Sequence, residues 1–422
     1  MGTAPGSLLD GVFVDPTTKG FPTVDEPVPL SEVGAHGWAL VDLPPPVLAL
    51  RRSALEHNLT LMAAFCERYG VAIAPHGKTT MAPQLWRMQL EAGAWGITAA
   101  TAVQARAMRA VGVSRILIAN ELTDAGSIRW AAEDLREPSN ELVCYVDSGR
   151  GVDLLERGLG EAGAARPLSV VVELGHRGGR TGCRAPEEAT GIARDVTRSR
   201  SLRLAGVAGY EGTIAHDRER GSLEAVGAYL DSFRAWASRL LEEGVLEDEA
   251  IVTAGGSLYF DLVAGLASGW PAGRRPLVLL RSGCYLMHDS GFYERSSPFA
   301  NEEPERRFAP ALEAWGAVLS RPEPGLALVG LGRRDVPFDL GYPHPTLVRR
   351  PDGATEAIDG RAAVTALNDQ HAFCRVDELV EMEPGDLVRF GVSHPCSAFD
   401  RWRVIPVLDD EDRVVDAVAT FF

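Results

Sequence analysis

Two short stretches far apart in the chain hold residue types that can do chemistry together. Ala72-Ile-Ala-Pro-His-Gly-Lys78-Thr79-Thr80 delivers a primary amine, and His394-Pro-Cys396 offers an imidazole nitrogen and a thiol. An amine adds to an aldehyde to form a Schiff base. A nitrogen and sulfur pair favours zinc over magnesium or calcium. Together they point to a cofactor aldehyde and a Lewis acid serving one pocket.

The elements around Lys78 support that reading. Tyr69-Gly-Val-Ala-Ile-Ala-Pro75 is a short apolar run stopped by proline, and Met81-Ala-Pro-Gln-Leu-Trp-Arg-Met-Gln-Leu-Glu-Ala-Gly has helical spacing. That order is strand, lysine, helix. A lysine at the carboxyl end of a buried parallel strand is partly desolvated, which favours the neutral, nucleophilic amine. The alternative is a solvated loop lysine. The chain has 42 Lys plus Arg, yet this stretch contains no other lysine.

Further candidates also follow apolar runs. Thr253-Ala-Gly255-Gly256-Ser257 offers main-chain N–H groups and a hydroxyl to a phosphate, or is a plain turn. Arg180, in Gly178-Gly-Arg-Thr-Gly182, presents a planar fork suited to a carboxylate or phenolate, or is a surface arginine in a glycine turn. Arg177 and Arg184 are its rivals. Tyr210, in Gly209-Tyr-Glu-Gly212, lies against a flat ligand or is a core aromatic. His394 and Cys396 flank one residue on a strand end or tight turn, so both can project to the same side, as a metal site or as a buried thiol beside a bonded histidine.

Eight strand candidates run between residues 50 and 300, each followed by an Ala-rich helical stretch: Val71-Ala-Ile-Ala, Gly96-Ile-Thr-Ala, Arg115-Ile-Leu-Ile-Ala, Glu141-Leu-Val-Cys-Tyr-Val, Ser169-Val-Val-Val-Glu-Leu, Arg203-Leu-Ala-Gly-Val-Ala-Gly, Ala250-Ile-Val-Thr-Ala and Pro276-Leu-Val-Leu-Leu. This predicts an α/β fold with a (β/α)8 TIM-type barrel, a doubly wound sheet being the other arrangement the pattern allows. After Arg295-Ser-Ser-Pro298 the helical period fades into short strands such as Glu313-Ala-Trp-Gly-Ala-Val-Leu, Gly325-Leu-Ala-Leu-Val, Asp386-Leu-Val-Arg-Phe and Arg403-Val-Ile-Pro-Val-Leu, a smaller β-rich domain. The expected division is an N-terminal segment at 1–45 packing on the β-rich part, a barrel at 46–305, and a β-rich domain at 306–422 carrying the metal site.

Composition bounds the function. At 422 residues, 45% hydrophobic and 24% charged, the chain can bury a large core in two domains. Its net charge of −16 argues against nucleic acid. Anionic ligands must then be held by local donors. Neither a membrane span nor a signal peptide is apparent, so the cytoplasm is the expected compartment and the six scattered cysteines are expected to be reduced.

Pro75-His-Gly-Lys78-Thr-Thr-Met-Ala-Pro83 resembles the cofactor-lysine segment of the D-serine dehydratase and D-threonine aldolase family, fold-type III pyridoxal-phosphate enzymes related to alanine racemase. The resemblance continues in order through Glu173-Leu-Gly-His-Arg-Gly-Gly-Arg180-Thr-Gly, Gly209-Tyr210-Glu-Gly212, Thr253-Ala-Gly255-Gly256-Ser257, Arg281-Ser-Gly283-Cys-Tyr285 and Ser393-His394-Pro-Cys396. It implies a homodimer with pyridoxal 5'-phosphate on Lys78. It also implies phosphate held by Gly255, Gly256 and Ser257 with the Gly283 to Tyr285 loop, Arg180 at the phenolic oxygen, Tyr210 against the ring, and zinc or another divalent metal on His394 and Cys396. Ala366-Leu-Asn-Asp-Gln-His371-Ala-Phe loosely matches a Gln-Glu-His segment, which makes His371 a substrate-contacting candidate. No Asp or Glu matches a partner for the pyridine nitrogen.

The expected activity is β-elimination from a small D-amino acid, D-serine first, to a 2-oxo acid and ammonia. Lys78 would act as general base, and the metal would serve the leaving hydroxyl. A D-threonine aldolase or a D-3-hydroxyaspartate dehydratase uses the same parts. A racemase, which has no use for zinc, or a non-catalytic cofactor-binding protein, which would lack the second domain, is the further alternative.

Overall fold

The computed structural model describes residues 7–422, so residues 1–6 of the expected N-terminal segment lie outside the described residues. A first strand, β1 (Val47–Arg51), precedes the barrel. Eight parallel strands then follow: β2 (Ala72–Ile73), β3 (Ile97–Ala99), β4 (Arg115–Glu121), β5 (Glu141–Val146), β6 (Leu168–Leu174), β7 (Leu202–Gly209), β8 (Ile251–Thr253) and β9 (Leu277–Leu280). From β3 to β9 each pairs with the next in sequence, and β9 returns to β2 through Leu279 opposite Ala72. The ring closes where Trp95 N donates to Ile73 O at 2.8 Å and Thr98 N to Pro75 O at 2.9 Å. All eight expected runs are strands of this barrel.

The strands are apolar on both faces because both are covered. Leu117, Val143 and Val171 point into the barrel, while Ile116, Ile118, Val170 and Val172 meet the surrounding helices. Local signals start those helices. Thr101 caps α3 (Ala102–Ala110), Asp124 caps α4 (Ala125–Asp134) and Ser148 caps α5 (Gly149–Glu161), each accepting a backbone N–H with its side-chain oxygen. Before them come α1 (Arg52–Tyr69) and α2 (Pro83–Glu91), the latter with proline in its first turn.

The second sheet is antiparallel along its main path. It contains β10 (Leu312–Glu323), β11 (Leu326–Val329), β12 (His344–Arg349), β13 (Thr355–Ala357), β14 (Ala362–Leu367), β15 (Ala372–Val376) and β16 (Leu387–Gly391), followed by the hairpin β17 (Val404–Leu408) and β18 (Val414–Ala419). Strand β1 joins the two parts. It runs antiparallel to β10 and parallel to β17, with Leu50 opposite both Leu312 and Val407. The segment expected to open the barrel therefore contributes its first strand to the other sheet.

The N-terminal segment packs there too. Val14, Phe21, Leu30 and Leu40 share an apolar cluster with Trp315, Val404 and Val414. Lys19 is fixed by an ion pair of 2.6 Å to buried Asp335 and by the Trp402 ring 3.7 Å below it. Among the described residues, no helix is long and apolar enough to cross a membrane, and all six cysteines are free thiols.

Candidate active site

A cavity of about 350 Å³ opens at the carboxyl end of the barrel strands. Lys78 enters it from a 3-10 turn, Gly77–Thr79, just after β2. Packing dictates the glycine before it, because a Cβ at Gly77 would sit 2.6–2.9 Å from Met108, Ile97 and Trp86. The Trp86 indole donates to Gly77 O at 3.2 Å and pins the turn. Lys78 is also one of only two lysines in the chain, and the other, Lys19, is tied down on the far sheet.

Other barrel strands supply the walls. Arg180 lies over the Tyr210 ring, its guanidinium carbon 4.0 Å from the centroid. Its rival Arg184 is consumed locally, donating to the carbonyls of Thr181 and Gly182 and so knitting the glycine-rich loop. Arg177 is exposed. Gly255 adopts φ +126°, a backbone that favours glycine, and Gly283 would drive a Cβ to 2.5 Å from His76 O.

One expectation about this loop needs correcting. The Gly256 N–H donates to buried Glu211 Oε1 at 2.7 Å, so it is not a free donor for phosphate. Burial raises the Glu211 carboxyl above its ordinary range, which favours its neutral form.

His394 and Cys396 reach the same cavity from the second sheet. His394 has φ 66° and ψ 79°, and Pro395–Ser397 forms a 3-10 turn after β16. Buried Asp289 holds this turn against the barrel: Oδ2 accepts from His394 N at 3.0 Å, and Oδ1 from Gly291 N and Tyr293 N. The imidazole Nδ1 meets Asp339 Oδ2 at 2.5 Å, and Ser397 Oγ donates to the other carboxylate oxygen at 3.0 Å. With Nδ1 so engaged, the nitrogen left for a ligand is Nε2.

Nine of the eleven expected residues therefore line one cavity. Tyr285 and His371 do not. The Tyr285 phenol is buried behind the barrel wall, where Gln89 Nε2 donates to it at 3.2 Å. His371 is exposed in the hairpin turn between β14 and β15, with its carbonyl accepting from Asn368 N.

The cavity also contains groups that sequence reasoning missed. Arg281 is buried, donates to Thr253 Oγ1 at 2.6 Å and Gly209 O at 2.7 Å, and has no carboxylate partner among the described residues. His76 is pushed well below its ordinary value by burial and by Lys78, Arg281 and Arg180, so its ring is neutral. Its buried Nδ1 and the Tyr145 hydroxyl lack hydrogen-bond partners. Behind Tyr145, burial with Glu173 and Asp147 raises Glu121 to about 8.

The last missed group is Cys284, whose Sγ lies 3.2 Å from Cys396 Sγ. Thr79 Oγ1 is 3.4 Å from the Cys396 sulfur and 4.0 Å from that of Cys284. The hydrogen bond between the two thiols draws Cys284 below its ordinary value and pushes Cys396 well above it. Among the described residues, no three His, Cys, Asp or Glu side chains already surround one point at ligand spacing.

The cavity suits a flat anionic cofactor. It combines one unpaired amine, two guanidinium groups in a chain of net negative charge, a positive-φ glycine loop and two buried polar atoms without partners. Imidazole and thiolate are also the donors that a soft divalent cation takes.

Comparison with known proteins agrees with this architecture. The family model described as "Alanine racemase, N-terminal domain" matches residues 50–262, just over half of the chain, and "Putative serine dehydratase domain" matches residues 311–408. A D-threonine aldolase from Arthrobacter sp is 27% identical over 368 residues, covering 86% of this chain and 89% of that protein. The crystal structure of D-threonine aldolase from Filomicrobium marinum superposes with a TM-score of 0.78 at 24% identity, over 91% of this chain and 97% of its own. D-threo-3-hydroxyaspartate dehydratase from Delftia sp. HT23 gives 0.72 at 21%, over 91% and 99%. Variants of a D-threo-3-hydroxyaspartate dehydratase with alanine for a histidine, and for a cysteine two residues further on, match similarly, the second in a metal-free form.

Proposed function

The chain belongs to the fold-type III pyridoxal-phosphate family built on the alanine racemase barrel, and on that premise we propose that it is a metal-dependent lyase of small D-amino acids bearing a β-hydroxyl, with D-serine as first substrate. The observation that carries this reading is the meeting of Lys78 with His394 and Cys396 in one cavity. A racemase has no use for the second pair. The histidine and cysteine altered in the dehydratase variants have the spacing of His394-Pro-Cys396, and the metal-free form of one supports a metal at this pair.

Lys78 would hold the cofactor and, once displaced by substrate, take the Cα proton as general base. Arg180, resting on Tyr210, would meet the cofactor's phenolic oxygen. Arg281, a permanent buried cation, would disfavour a second positive charge on the ring. His394 and Cys396 would hold the divalent cation, zinc by donor chemistry, with Asp339 orienting the imidazole. When bound, the cofactor supplies an electron sink at Cα and the cation a Lewis acid at the β-oxygen. The aromatic and apolar side chains at positions 338, 340 and 342 beside Asp339 are about two-fifths exposed, which supports a homodimer closing over this rim.

A panel of D- and L-β-hydroxy amino acids tests the activity, with 2-oxo acid, ammonia and glycine measured separately. D-serine should give pyruvate and ammonia in equal amounts. Glycine and aldehyde from D-threonine would make the aldolase correct, preference for D-threo-3-hydroxyaspartate the third lyase, and interconversion of enantiomers alone the racemase.

A further inference from the structure

We propose that the metal site of this chain has two sulfur ligands, Cys284 joining Cys396 and His394, an inference that rests on the metal-dependent lyase reading. The two cysteines come from different parts of the fold. Cys284 follows β9 in the barrel and Cys396 follows β16 in the second sheet, yet their sulfurs lie 3.2 Å apart in the wall of the same cavity.

That spacing is close to what a shared ion requires. Two thiolates on a tetrahedral zinc, each about 2.3 Å from it, stand about 3.8 Å apart, so these sulfurs need only part by about 0.6 Å. Thr79 Oγ1 stands beside the pair, 3.4 Å from the Cys396 sulfur and 4.0 Å from that of Cys284. The Cys284 backbone is anchored independently, its N–H donating to Ser257 Oγ at 3.3 Å. His394, in the lining of the same cavity, would turn Nε2 to the ion as third donor, its Nδ1 being held by Asp339. A two-sulfur, one-nitrogen set leaves the fourth tetrahedral position for water or a substrate hydroxyl, as open zinc sites do. It also selects zinc more strongly than a single thiolate would.

The other free cysteines offer no such arrangement. Cys66, Cys144, Cys183 and Cys374 are buried and do not line this cavity.

The test uses the full-length, cofactor-loaded protein with Co²⁺ as probe. Sulfur-to-cobalt charge-transfer absorption grows with the number of bound thiolates, so intensity per bound cobalt counts them. The wild-type protein should show a two-thiolate band. Cys284→Ser and Cys396→Ser should each lose about half of it and weaken cobalt binding by roughly tenfold or more, whereas Cys374→Ala should change neither. A wild-type band of one-thiolate intensity overturns the proposal even if the serine variants do not fold, and it leaves the lyase reading intact. An undiminished band in folded Cys284→Ser does the same. Failure of the wild-type protein to bind cobalt or zinc at all overturns both this proposal and the metal-dependent reading beneath it.

Discussion

Lysine is rare in this chain: two residues among 42 basic side chains, one paired with Asp335 and the other in the cavity. Borohydride treatment of the cofactor-loaded protein should therefore label the peptide containing Lys78 and no other. Label on Lys19, or none, would refute the assignment. This signal is present in the composition but is hidden when Lys and Arg are counted together. Asp339 had no sequence signal, since nothing in Pro337-Phe-Asp-Leu340 announces contact with His394. Asp339→Asn should weaken zinc binding about 10–100-fold while leaving the cofactor bound, as measured by competition with a chelating dye. Glu121 couples stability to pH. Its folded carboxyl titrates near 8 against an ordinary 4.5, so the folded state keeps a proton that the unfolded chain has released, and stability falls as pH rises between those values. Glu121→Gln should raise the melting temperature at pH 8 by about 2 °C or more and have little effect at pH 4.5. Equal shifts at both pH values would show that the carboxylate cluster does not act this way.

At the scale of elements, the barrel was legible because its strands are continuous apolar runs and its helices open on Thr101, Asp124 and Ser148. The second sheet was only half legible. Strands such as β13 and β14 alternate exposed and half-buried positions over a few residues, a pattern shared with loops. His371 and Tyr285 were misplaced for related reasons, since proximity to a motif does not reveal whether a side chain turns toward the cavity or away from it. The glycine loops yield a ranking that sequence alone could not. A Cβ at Gly283 meets the His76 carbonyl at 2.5 Å, whereas one at Gly256 meets the Tyr210 ring at 3.4 Å. Gly283→Ala must displace the turn bearing Lys78 and should cost most of the cofactor on dialysis, while Gly256→Ala should retain the larger part. Equal retention would mean that the Gly283 loop yields more freely than its contacts indicate.

For the whole molecule, β1 is the element that makes two sheets interdependent, because β10 and β17 both use it as a neighbour. Residues 306–422 produced alone should be largely insoluble, and co-production with residues 1–51 should recover soluble protein. Solubility of the isolated piece would show that β10 and β17 can pair without β1. The arrangement also bears on synthesis. The four buried apolar residues of β1, Val47-Leu-Ala-Leu50, leave the ribosome hundreds of residues before Leu312 and Val407, which face Leu50 in the finished sheet. During that interval the nascent chain carries an unpaired, sticky edge strand while the barrel forms behind it. Translation speed and chaperone supply should therefore govern the yield of this protein more than that of a barrel whose strands meet in the order they are made.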